Sequence, residues 1–217
     1  MCGRYTNNAT WREITALFPA AVTEADPEPA YNLAPTQLGW TLGKDGEGGA
    51  KAGQMKWGLL PAWAKDAKMA YSTINARLET VAEKPAFRGA WKAGRRCLVI
   101  STGYYEWPVI AGEKRPHFIH RTDSHVTMFG GIWEKWGDLL TYSIVTKDAD
   151  ENIAPLHDRM PLILPPDLWG DWLNGSVDDA MGIASTIGEQ PMAYHEVGKA
   201  VGNVRNQGPQ LMEPIAA

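Results

Sequence analysis

Between Arg96 and Thr146 the chain alternates short apolar, aromatic and β-branched runs with turn signals, and no other feature constrains its fold as strongly. "RRCLVISTGYYEW", the run around "HFIH", "VTMFGGIW" and "LLTYSIVT" are separated by "AGEK", "TDS" and "WGD". Such runs, punctuated by Gly, Asp and Ser, read as the strands of a meander. Upstream, "QLGWTLGKDGEGGAKAGQMKWGLL" reads as two strands around the glycine-rich turn at residues 43–49. Downstream, "MPLILPP" reads as another buried strand, followed by a small helix carrying Trp169, Trp172 and Leu173.

Helical signals are few and short. In "TWREITALF", Thr10 and Glu13 form a capping-box pattern ahead of Trp11, Ile14, Leu17 and Phe18. A second helical stretch is expected to run from Asn75 through Phe87 and Trp91, with Pro85 at a tolerated position. "PAAVTEADPEPA", at 19–30, reads as a surface loop. No internal repeat or linker divides the chain. The expectation is one α+β domain over residues 1–217, with a largely antiparallel, barrel-like β core and flanking short helices.

Composition narrows the function classes. No apolar run approaches the length of a membrane span, and no basic, apolar and small-residue succession marks an export signal. The two cysteines, Cys2 and Cys97, point to a reducing, cytoplasmic setting, with Cys97 a buried free thiol in "CLVI". Net charge is −4, but residues 51–100 carry ten Lys and Arg against three Asp and Glu. Residues 101–217 carry eight against sixteen. A basic stretch on an acidic body fits either a polyanion-facing surface or a solvated face with no partner. GxGxxG, P-loop and GxSxG motifs are absent, which removes support for nucleotide-dependent transfer and esterase chemistry. His117, His120 and His125 lie along one β-rich run without a CxxC or a carboxylate cluster, so no metal site and no cofactor is expected.

Four polar groups stand against apolar or turn surroundings. They are Cys2 with Arg4, Asn75 with Arg77 in "INAR", Glu106 in "GYYEW", and His157 with Arg159 in "HDRMP". Strand ends and loops are where a rigid scaffold carries function. Each residue alone also has an ordinary reading: a solvated Glu, a structural His, a capping Asn, surface Arg.

Together these pieces resemble the SOS response-associated peptidase (SRAP) family. The resemblance is carried by "MCGRYT", "YNLAPTQ", "KWGLLPAW", "INARLET", "FRGAW", "RRCLVISTGYYEW", "HDRMPLIL" and "AVGNVRNQGPQL", in that order along most of the chain. It implies recognition of abasic sites in single-stranded DNA and a covalent DNA–protein cross-link through the N-terminal cysteine, protecting the lesion during the DNA damage response. Its catalytic positions fall on Cys2, Asn75, Glu106 and His157. Its DNA-binding positions fall on Arg4, Arg77 and Arg159, with Trp63 as an aromatic against the bases. Ala64 stands where some members place a second aromatic. A lyase-like DNA repair enzyme is implied, a monomer that is cytoplasmic and associates with the nucleoid when bound to DNA. The family name adds an autopeptidase (hydrolase) activity.

The chemistry follows from an amino-terminal cysteine. With Met1 removed, its α-amine, with a reference pKa of about 7.7–8.0, is partly neutral near pH 7 and attacks the ring-opened abasic aldehyde. The thiol then closes a five-membered thiazolidine intramolecularly. Two other readings remain: a cysteine-dependent peptidase, and an N-terminal-nucleophile amidotransferase, whose "RGPD"-like and "NGE"-like segments are absent.

Overall fold

The computed structural model describes residues 2–22, 27–47 and 49–215. Met1, part of the loop expected at 19–30, and Gly48 of the glycine-rich turn lie outside the described residues.

Five strands close on themselves. Around the ring run Ala50–Trp57, Leu38–Lys44, Arg96–Ser101, Thr127–Trp136 and Leu139–Asp148, each antiparallel to the next. The last returns to the first through a parallel pairing of Tyr142 with Trp57. Closure removes the open edges that a five-stranded sheet would expose. A second sheet orders Met192–Glu196, His117–Arg121, Gly103–Glu106, Tyr5–Asn7 and Ala30–Leu33. The α+β class with a largely antiparallel, barrel-like core is therefore the architecture found.

Alternation along the ring strands serves two cores. On Arg96–Ser101, Cys97 and Val99 join a cluster with Cys2, Tyr5, Trp57, Tyr104, Phe129 and Tyr142. Leu98 and Ile100 face the other way, into a cluster with Leu42, Trp91, Trp169 and Trp172. Both faces are buried, so this strand reads as a continuous apolar run. In the first cluster Trp57 stacks on Tyr142, meets Tyr5 edge-on, and donates its indole N–H to Ile74 O at 2.8 Å. The Tyr5 and Tyr142 hydroxyls share a hydrogen bond of 2.6 Å. Trp57, Tyr5 and Tyr142, buried with their polar ends paired, form a rigid floor.

The chain leaves the ring for the second sheet at Thr102 and Gly103. Gly103 adopts φ +155°, and a Cβ there would stand 2.5 Å from Phe118 Cζ and 2.6 Å from Ile119 O. Gly103→Ala is therefore expected to destabilise the protein by about 2–4 kcal/mol, from combined backbone strain and overpacking. Urea denaturation measures it.

Two expectations are corrected. The chain is not a simple meander, because His117–Arg121 pairs with Gly103–Glu106 and Met192–Glu196, while Thr127–Trp136 returns to Arg96–Ser101. Nor does a helix begin at Asn75. Asn75–Arg77 is a strand parallel to Ile144–Thr146, and the α-helix is confined to Arg88–Lys92. A three-residue strand is too short to show a period, and its partner lies far along the chain. The capping box at Thr10 and Glu13, and the helix bearing Trp169, Trp172 and Leu173, form as read. Among the described residues no helix is long and apolar enough to cross a membrane.

Candidate functional site

Pairing of Tyr5 with Tyr104 aligns the chain's beginning with the strand that ends at Glu106. Tyr105 N donates to Arg4 O at 2.9 Å, which extends this alignment towards Cys2. On the other side, the parallel register of Asn75 with Ile144 sends Ala76 into the core. Asn75 Nδ2 then donates to Cys2 O at 2.8 Å. The Asn75 side chain is buried, and its Oδ1 has no partner among the described residues. An amide of this kind fixes the backbone of residue 2 and keeps an acceptor in reserve.

Cys2 is fully buried. Its Sγ lies 3.8 Å from Arg4 O, and burial, reinforced by the Glu106 carboxylate, pushes the thiol well above its ordinary pKa. The sulfur is held as a thiol, not as a preformed thiolate. Glu106 is 5% exposed. Burial, with a further contribution from the Asp158 carboxylate, lifts its carboxyl to about 7. A carboxyl poised there gives and takes protons near neutrality.

His157 sits at the end of the turn that precedes Arg159–Pro161. Its pKa is lowered, chiefly by burial. Nδ1 lies 2.9 Å from the Arg159 backbone N–H and 2.6 Å from Asp158 Oδ1. The neutral ring accepts from the amide, and the protonated ring donates to the carboxylate. The same nitrogen thus has a partner in either state, and Asp158 links this loop electrostatically to Glu106.

The cations divide into three situations. Arg4 is anchored: Nη1 donates to Asn32 Oδ1 at 2.7 Å and to Val201 O at 3.1 Å, and the guanidinium lies over Trp107 at 5.7 Å. Arg77 is exposed and lines a cleft with Asn75 and Trp63, whose indole is 58% exposed. Arg159 is buried and turned inward. Glu79 at 2.6 Å, Asp148, and Thr146 O at 2.8 Å take up its guanidinium. Cys2, Asn75 and Glu106 are thus gathered in one place, with the His157–Asp158 loop coupled to Glu106 and Arg77 and Trp63 in the adjoining cleft. Arg159 is tied into the scaffold by Glu79, Asp148 and Thr146.

A scan against protein families matches the SOS response associated peptidase (SRAP) model over residues 1–204. The chain belongs to the SRAP family. It is 35% identical over 226 residues to the abasic site processing protein YoqW of Bacillus subtilis (strain 168), covering 98% of this chain and 99% of that protein. To abasic site processing protein YedK of Escherichia coli (strain K12) it is 31% identical, covering 99% and 100%. To abasic site processing protein HMCES of Gallus gallus it is also 31% identical, covering 91% of this chain and 69% of that one. A solved structure of a Bacteroides thetaiotaomicron protein superposes with a TM-score of 0.84 at 24% identity, covering 99% of this chain and 100% of that one, which establishes the shared fold.

Several contributors escaped the sequence reading. Asn32, buried in "YNLAPTQ", donates to the carbonyls of Val201, Asn203 and Asn206 at 3.0–3.1 Å while accepting from Arg4. Glu79 and Asp148 hold Arg159. A polar residue inside an apolar run was the one available signal for Asn32. For the carboxylates there was none, because the pairing is long-range.

Proposed function

We propose that this SRAP-family chain processes abasic sites in single-stranded DNA, forming a covalent thiazolidine cross-link through Cys2 once Met1 has been removed. The observation that carries the proposal is the bond from Asn75 Nδ2 to Cys2 O beside a Glu106 carboxyl lifted to about 7. Together they hold residue 2 in place and supply a proton carrier where an amine must condense with an aldehyde. The names of full-length relatives as abasic site processing proteins support the same reading.

The steps follow from the groups present. The neutral α-amine of Cys2 adds to the C1′ aldehyde of the ring-opened deoxyribose, and the carbinolamine loses water to give an imine. Glu106, protonated, gives the proton that lets hydroxide leave as water. Glu106, ionised, then receives the proton of the Cys2 thiol as sulfur adds to the imine carbon. His157 serves the sugar oxygen as the deoxyribose opens. Because the thiol is not a preformed thiolate, a peptidase mechanism led by sulfur finds less support here than one led by the amine.

Arg77 and Arg4 hold the flanking phosphates, and Trp63 meets a base. Arg159, enclosed by Glu79 and Asp148, is assigned instead to positioning the strand that bears Asn75. Arg77→Ala is accordingly expected to weaken binding of an abasic single strand about tenfold at low salt. The slope of log K against log salt should fall by about 0.7, the release expected for one single-strand phosphate contact. Fluorescence anisotropy over a salt series reads both, and an unchanged isotherm would place the DNA elsewhere.

Intact mass spectrometry of the purified protein, alone and after reaction with an abasic oligonucleotide, tests the whole proposal. The expected result is a mass lacking Met1, and an adduct equal to protein plus oligonucleotide less water. Protein that retains Met1 has an amide in place of the first nucleophile and should form no adduct.

A further inference from the structure

The second sheet has a cavity of its own, at the end away from Glu106. His117 pairs with Glu106, and His120 lies further along the same strand, about 10 Å on at the rise of a strand. The cavity encloses about 140 Å³, and Phe118, His120, Arg121, His125 and His195 are on its wall. His120 Nδ1 lies 2.8 Å from Arg121 O, and His195 Nε2 lies 2.7 Å from Met212 O. A carbonyl only accepts, so each of these nitrogens carries a proton. In the neutral rings the lone pairs are thereby fixed on Nε2 of His120 and Nδ1 of His195. Neither of those atoms has a hydrogen-bond partner among the described residues. Spacing along the chain offers His120 no such neighbour. Pairing of His117–Arg121 with Met192–Glu196 brings His195 to it on one face, with ring centres 5.7 Å apart. Phe118 stacks on His120 and meets His195 edge-on, which orients both rings.

Histidines that hold a metal ion donate their other ring N–H to a carbonyl or carboxylate in this way. Two imidazoles on one tetrahedral ion, with Zn–N of about 2.0–2.1 Å, have ring centres about 5.2 Å apart. The observed 5.7 Å asks for an approach of about half an ångström. We infer that His120 and His195 form a binding site for a borderline-soft divalent ion of the Zn²⁺ and Cu²⁺ kind. Water completes the shell, since among the described residues no three His, Cys, Asp or Glu side chains gather closely enough to share an ion. His125 stays with Glu13, whose Oε1 lies 2.8 Å from its Nδ1. Arg121, the cation on the same wall, is compensated. It donates to both Asp123 oxygens at 2.8 and 2.7 Å and to Gln190 at 3.0 Å. Imidazole nitrogens select such ions over Mg²⁺ and Ca²⁺, which take oxygen. A bound ion clasps the edge strand Met192–Glu196 to its neighbour, apart from Cys2, Asn75 and Glu106.

The test must resolve sites, because Zn²⁺ also binds cysteine thiolate and a bulk affinity would mix Cys2 with the histidines. Long-range ¹H–¹⁵N spectra of the imidazoles at mildly alkaline pH provide that resolution. Before metal is added, His120 should be the Nδ1–H tautomer and His195 the Nε2–H tautomer. Added Zn²⁺ should then shift Nε2 of His120 and Nδ1 of His195 along one common binding curve. His120→Gln should weaken the response of His195 about tenfold or more, and His195→Gln should do the same to His120. Backbone amide spectra of both variants check that the sheet is intact, and either variant alone suffices. The reversed tautomers, no response of either ring at millimolar Zn²⁺, or an undiminished response of the remaining ring in a folded variant would overturn the site.

Discussion

Cys2→Ala is expected to abolish the adduct that survives boiling in detergent, while binding of the abasic strand changes by less than about twofold. Alanine keeps the α-amine, so the aldehyde still condenses to an imine. What is lost is ring closure, and intramolecular closures of this kind reach effective molarities of about 10⁵ M or more. Without it the imine hydrolyses when the complex is denatured. Borohydride should restore a stable band for Cys2→Ala by reducing the imine, and that rescue separates a lost thiol from a lost site. A heat-stable adduct of Cys2→Ala without borohydride would sink the thiazolidine assignment.

The second large effect is expected at Glu106, where stability and activity should move in opposite directions. Its folded pKa of about 7 lies above the ordinary value of 4.5. Below pH 4.5 the group is neutral in folded and unfolded chains alike, and its favourable contribution is complete. As pH rises from 4.5 through 7 the unfolded chain ionises more readily, and about 3 kcal/mol of relative stability is lost. Glu106→Gln never ionises. It should match wild type in urea denaturation at pH 4 and exceed it by about 2–3 kcal/mol at pH 8. The same variant should form the cross-link about a hundredfold more slowly, because the amide carries no proton between amine, hydroxyl and thiol. Wild-type rates should climb on two limbs, one near pH 7 from Glu106 and one near pH 8 from the α-amine, and Glu106→Gln should keep only the second. A variant with equal stability at both pH values and an unaltered rate profile would remove Glu106 from the chemistry.

The contrast between these residues also shows what the sequence could and could not reveal. Thr10 and Glu13 announce a helix start because the capping box is local, and Leu38–Lys44 and Ala50–Trp57 pair across a turn that glycine marks. Asn75 and Glu106 stood out as polar groups at the margins of apolar segments, and the motifs around them carried the family resemblance. The strand at Asn75 was hidden, since three residues have no period and their partner is Ile144–Thr146. Ring closure through Trp57 and Tyr142 was hidden for the same reason. Arg159 carries a charge that any reading would offer to a phosphate. Only the fold brings Glu79 and Asp148 to it.

Arg4 is fastened to Val201 O directly, and Asn32 ties it to the same carbonyl a second time. The two ends of that bond are separated by 197 residues. At synthesis rates of about 5–20 residues per second, some ten to forty seconds pass between the making of one and the making of the other. Throughout that interval Arg4 lacks the carbonyl that completes its seat, although Asn75 and the strand Gly103–Glu106, which align the Cys2 segment, have already been made. The last fastening of the chain's beginning therefore waits for nearly its whole length.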